Sequence, residues 1–313
     1  MRKANQRAGT NWRTIGLFLL LGFGWPWLVV PLLGLFGLLS IPGLAQILIA
    51  LLVMPAPAAA ALVTSTVMHR GRLSRDGLRL LGVDWRAVAV APLAFILFAL
   101  LYLLLLQLLG NGGQLPGVGH LDVHGAAIVE NLRRLSPGLP ATAIRLPPDG
   151  LLIPIFIGGA LLAGVSINAL FALGEELGWR GLLLSEVRSL GWWRANLLIG
   201  VAWGVWHAPL ILLGGLNYPR HRVAGLGMMV LFCTAAGLIQ SYLRLRSRTL
   251  LAPSAFHGMI NGIGSSFAVA TVNANPLVGS VAGLVGIAAL ALVALLLHVA
   301  DRDYVRDFSR LSP

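Results

Sequence analysis

Long apolar runs alternate with short, arginine-bearing breaks along the chain. Eight runs read as membrane segments: 15–39, 42–68, 87–109, 151 to about 186, 195–214, 223–243, 249–270 and 277–299. A span needs about 20 apolar residues at a rise of about 1.5 Å each. The pattern therefore predicts an all-α membrane protein, a bundle of about eight transmembrane helices. Pro55 and Pro57 are expected to kink the second span, and the fourth run is too long for one span and too short for two. Residues 110–148 read as a polar, proline-containing loop with an interfacial helix at 121–135. The first run is longer than a signal-peptide core of about 7–15 residues, so it reads as the first span and no cleavable leader is expected.

Composition agrees with this picture. The chain is 57% hydrophobic and 11% charged, against about 25% charged residues in soluble domains. The net charge of +12 is spread over the gaps between apolar runs rather than gathered in a stripe, so nucleic acid is not an expected partner. With the N-terminus inside, 18 of the 23 basic residues fall in inside segments, among them Arg2, Lys3, Arg7, Arg72, Arg75, Arg79 and Arg310. This bias places the N- and C-termini in the cytoplasm. All the basic residues but Lys3 are arginine, which points to a GC-rich bacterial source and hence to the bacterial cytoplasmic (inner) membrane. The lone Cys233 lies in an apolar run and reads as a small buried residue, with no intramolecular disulfide.

Against this background the acidic residues stand out. Of four glutamates, Glu175 and Glu176 are adjacent, with Arg180 one turn on, inside an apolar run. Ionisable groups at membrane depth are costly and are candidates for function. Glu176 and Arg180 are spaced i, i+4 and share a helix face, which leaves Glu175 aimed elsewhere. His207 follows Trp203 by one turn, and His257 precedes Asn261 by one turn. Taken alone, His207 reads equally well as a core histidine bonded to a backbone carbonyl. Glu175 and His207 each lie 13 residues from an arginine at the expected cytoplasmic edge, and His257 lies 9 from one; these are depths of roughly 14–20 Å. The two His-bearing helices carry Gly200/Gly204 and Gly258/Gly262, spacings that allow close backbone approach. Together the groups suffice for hydrolysis: a carboxylate or imidazole to activate water, and an imidazole and an amide to stabilise an oxyanion. Glu175, His207 and His257 could alternatively hold a zinc ion, although no His-Glu-x-x-His motif is present.

Glu175-Glu176-Leu177-Gly178-Trp179-Arg180 resembles the EExxxR motif of the CPBP family of intramembrane proteases, the CAAX proteases and bacteriocin-processing enzymes. Trp203-x-x-x-His207 resembles its second motif, usually FxxxH, and His257-x-x-x-Asn261 its third, HxxxN/D. The match covers about 170–265 and departs from the pattern at Trp203, which replaces Phe. The resemblance implies an intramembrane endopeptidase. Glu175 would activate water with help from His207; His257 and Asn261 would form the oxyanion hole; Glu176, Arg180 and Trp203 would support them. It further implies a glutamate-dependent reaction with no cofactor or metal expected, zinc being the alternative.

The chain then divides into residues 1–148, about three spans plus an extracytoplasmic loop; a catalytic transmembrane region, 149–300; and a cytoplasmic tail, 301–313. The expected partners are a peptide or membrane-protein substrate and the lipid bilayer, in peptide or bacteriocin processing or in self-immunity. Two other readings fit the same residues. A proton-coupled transporter would use the buried acid and histidines as a relay, but no internal repeat with matched broken helices is visible. A non-catalytic scaffold or immunity protein would keep the fold alone.

Overall fold

A computed structural model describes residues 10–41, 43–71, 83–135 and 145–308. The arginines at 72, 75, 79, 310 and the charged N-terminal residues 2, 3 and 7, all counted for orientation, lie outside the described residues, as does the end of the tail.

Each of the eight apolar runs contains helix, although the last becomes helical only from Leu284. Hydrocarbon offers backbone N–H and C=O groups no partner, so each segment must satisfy its own. Helix α1 (Trp12–Leu35) begins where Asn11 accepts from the Thr14 amide at 3.3 Å. The second run is divided at Pro55 into α2 (Leu44–Leu52) and α3 (Ala56–His69). Asp84 caps α4 (Trp85–Val88), which leads into α5 (Val90–Leu106) and a π-helical stretch, Gln107–Gly112. The interfacial helix is α6 (Gly125–Leu135), shorter than expected because Asp122 and His124 form a turn ahead of it. The fourth run is broken: α7 (Leu152–Gly164) and α8 (Ile167–Glu176) meet at a 55° bend, and a π segment (Leu177–Leu183) and α9 (Leu184–Val187) follow. Next come α10 (Trp192–Trp206), α11 (Ala208–Leu212), α12 (Arg222–Ser247), α13 (Leu251–Ala270), α14 (Leu284–Ala300) and α15 (Tyr304–Phe308).

The span count differs from the expected eight. Among the described residues five helices are long and apolar enough to cross a membrane, and six if the bent pair α7–α8 is one span. Helix α14 has only 17 residues, and α13 is diluted by Ser254, His257, Asn261, Ser265 and Ser266. Both are buried against neighbours rather than fully lipid-facing. Helix α13 packs on α5, α7, α8 and α12, and α12 packs on α10, α13 and α14, so α12 and α13 form the centre. The outer helices carry exposed Leu, Ile and Trp, for example Trp25, Leu32, Leu93, Leu104 and Leu162. A multi-pass integral membrane protein shows this arrangement, with large apolar side chains turned towards lipid.

A two-stranded pairing not foreseen in the sequence closes one end. Strand β1 (His120–Leu121) runs antiparallel to β2 (Thr271–Val272), with His120 opposite Val272 and Leu121 opposite Thr271. Asn131 of α6 donates to the Val269 carbonyl at 2.8 Å. The 110–135 segment is thereby fixed to the end of α13. At the other end the tail is docked: Tyr304 and Phe308 of α15 are buried against Trp192.

Candidate active site

Backbone approach sets the site. In α10 a side chain at Gly204 would collide with the Val230 backbone of α12, and one at Gly200 would lie 2.6 Å from the Thr234 Cα. In α13 a side chain at Gly258 would lie 2.8 Å from the Ala169 amide nitrogen of α8. The glycine pairs therefore pack helices, as their spacing suggested, and in doing so draw the motif-bearing faces together. A π segment begins directly after Glu176 and contains Arg180; such widened turns are frequent at functional sites.

The two glutamates are both buried and have different partners. Glu176 Oε1 accepts from Arg180 Nη1 at 3.1 Å, from Gln240 Nε2 at 3.2 Å and faces His257 Nδ1 at 2.9 Å. The Arg180 and Glu176 side chains are fully buried, so this is an ion pair sealed from solvent. Glu175 Oε2 instead accepts from the Trp203 indole N–H at 2.7 Å. The Arg180 guanidinium lies 4.4 Å over the Trp203 ring. The expected division of labour, one carboxylate held by the arginine and the other directed elsewhere, is present in these contacts.

The histidines differ in setting. His257 is 6% exposed. With its Nδ1 on Glu176, its Nε2 is the nitrogen left for a ligand. His207 is half-buried, with Nδ1 2.9 Å from the Trp203 carbonyl. It thus has the backbone bond of a core histidine and also stands beside the cluster, its ring 6.0 Å from the Trp203 ring. Asn261 shares the helix of His257 but its side chain is exposed, outside the buried cluster. The structure therefore brings together Glu175, Glu176, Arg180, Trp203, His207 and His257 and leaves Asn261 on the rim.

Two neighbours escaped sequence reasoning. Gln240 reaches Glu176 from α12, a helix without a motif; its only signal is an amide within an apolar run. Cys233, also on α12, places Sγ 4.0 Å from His207 Nδ1. Glu175, His207 and His257, the residues named as an alternative zinc set, are not grouped as metal ligands in this structure. Among the described residues no three His, Cys, Asp or Glu side chains converge as a metal ion requires. Two surface recesses, of about 440 and 640 Å³, lie around Gly110–His120 with Asn273 and along α6; neither is lined by a cluster residue.

Comparison with known proteins agrees with the motif reading. The family model described as type II CAAX prenyl endopeptidase Rce1-like matches residues 151–263, a stretch that includes all three motifs. A curated relative, CAAX prenyl protease 2 of Methanococcus maripaludis, is 29% identical over 118 residues, covering 34% of this chain and 43% of its own length. The match thus spans less than half of that relative. Over the region that carries the cluster, the chain is similar to CAAX-type membrane proteases.

Proposed function

We propose that the protein is an intramembrane endopeptidase that hydrolyses a peptide bond with a water activated by Glu175. The observation that carries this reading is the convergence, from α8, α10 and α13, of two buried carboxylates with separate partners and two histidines. Glu175 takes a proton from water as the oxygen attacks the scissile carbonyl carbon, with His207 holding the water. The oxyanion of the tetrahedral intermediate is met by His257 as an imidazolium, whose Nδ1–H donates to Glu176 and whose Nε2–H donates to the oxyanion, and by Asn261 at the rim. Glu175 then returns its proton to the leaving nitrogen as the C–N bond breaks. Glu176, with Arg180 and Gln240, holds His257 in place. No metal takes part in this scheme.

The substrate is a peptide or membrane-protein segment presented within the bilayer of a bacterial cytoplasmic membrane. The site opens towards the cytoplasm, as the arginine distribution implies. Peptide maturation or self-immunity would each supply such a segment; prenylated C-terminal peptides are the substrate class suggested by the name of the relative.

The test is cleavage of quenched-fluorescent peptides, farnesylated and unmodified, by the purified protein in nanodiscs. Glu175→Gln should lower the rate by about 10²–10⁴-fold, the usual contribution of a general base, while a chelator should leave it unchanged. Equal cleavage by the variant would overturn the proposal, and loss with chelator would replace it with a metal enzyme.

A further inference from the structure

Glu175 and Glu176 are adjacent and both buried, yet one residue outside their helix gives them different surroundings. The Trp203 indole N–H donates to Glu175 Oε2 at 2.7 Å. Its ring supports the guanidinium of Arg180 at 4.4 Å, and Arg180 in turn binds Glu176. The same ring meets the His257 ring at a centroid distance of 5.2 Å, and its backbone carbonyl faces His207 Nδ1. Trp203 is itself 3% exposed. A phenylalanine, usual at this motif position, could support Arg180 and His257 but has no N–H to offer Glu175.

We propose that Trp203 is a positioning residue: its indole N–H fixes one oxygen of the Glu175 carboxylate so that the other is the oxygen presented to water. This rests on the peptidase reading above. Rotation about the last bond of a glutamate is broad and roughly two-fold, so an unheld carboxylate samples orientations that do not face the water. A hydrogen bond to a charged acceptor away from solvent is short and strong and restricts that rotation before substrate arrives. Orientation of this kind acts on the chemical step rather than on binding.

Trp203→Phe keeps an aromatic ring while it removes the donor and shortens the side chain. It is expected to lower kcat by about 10-fold or more on whichever peptide the native protein cleaves, with KM changed less than about twofold, and to lower the melting temperature because the buried Glu175 carboxylate loses its bonded partner. A purely space-filling tryptophan would leave kcat intact. A second measurement does not depend on turnover. In ¹⁵N-tryptophan-labelled protein, the indole N–H resonance lost in Trp203→Phe should shift in Glu175→Gln and again in Glu175→Ala. An unmoved resonance, or full kcat in Trp203→Phe, overturns the inference. If Glu175→Gln is inactive while Trp203→Phe matches the native enzyme, the peptidase reading stands and this inference alone falls. If the native protein cleaves no better than Glu175→Gln, the reading fails and takes this role of Trp203 with it.

Discussion

Glu176 and Glu175 differ by one position and should answer differently to substitution. Among the described residues Glu176 is the carboxylate bonded to the fully buried Arg180. Removing one partner of a buried pair leaves an uncompensated charge and costs about 3–5 kcal/mol. Glu176→Ala is therefore expected to lower thermal stability strongly in detergent. Adding Arg180→Met to it should restore part of the loss, because two apolar groups replace the pair. Differential scanning fluorimetry on the native protein and the single and double variants checks this; a double variant less stable than Glu176→Ala would contradict it. Glu175→Gln should by contrast keep the fold, since an amide oxygen still accepts from Trp203. The same position can thus lose its chemistry and retain its structure, the condition that the activity test requires.

Between elements, the site is held by close helix contacts. A methyl group at Gly204 would collide with the Val230 backbone, so α10 and α12 must separate. That separation moves Trp203 and His207 away from α8, and displacement on the order of 1 Å can cost about 10²-fold in rate. Gly204→Ala is expected to lower kcat by at least about 10-fold. Gly227→Ala, where nothing lies within 4 Å of the added carbon, serves as a control with unchanged rate in the same peptide assay. Much of this site was legible in the sequence because it is local: Glu176 with Arg180, Trp203 with His207, and the glycine pairs are all four residues apart, the period of a helix face. Gln240 was not, because its role depends on which face α12 turns to α8, and no i, i+4 partner marks it. The 55° bend before Ile167 was marked only by Gly164 and Ser166, and glycine is too common in membrane helices to signal a break by itself. The eight apolar runs were legible as helices, but hydropathy alone gave no way to tell a lipid-facing span from α13, which is surrounded by protein.

Across the whole molecule, the charges at one end close the bundle. Arg246 of α12 donates to both Asp301 oxygens at 2.6 Å and to Asp307 at 2.8 Å, while Tyr242 donates to Asp301 at 3.2 Å. These bonds press α15 onto the start of α10, where Trp192 meets Tyr304 and Phe308. The residues after α14 are thus a clasp on the helix that carries Trp203 and His207. The Arg246 guanidinium holds the Asp301 carboxyl below the usual carboxylate range. A depressed folded value means the stabilisation is fully present above the ordinary value of about 3.9 and is lost as pH falls through the lower folded value. Because the pair is about one quarter exposed, its worth is nearer 1 kcal/mol than that of a sealed pair. For Asp301→Asn this corresponds to a melting temperature lower by about 2–4 °C at pH 7. The gap to the native protein should narrow as pH falls below about 3.9, because the native Asp301 then becomes protonated and the variant has nothing further to lose. Melting curves of both proteins across that range decide the matter: a gap that stays constant with pH would show that the clasp is held by the aromatic contacts and not by the Arg246 ion pair.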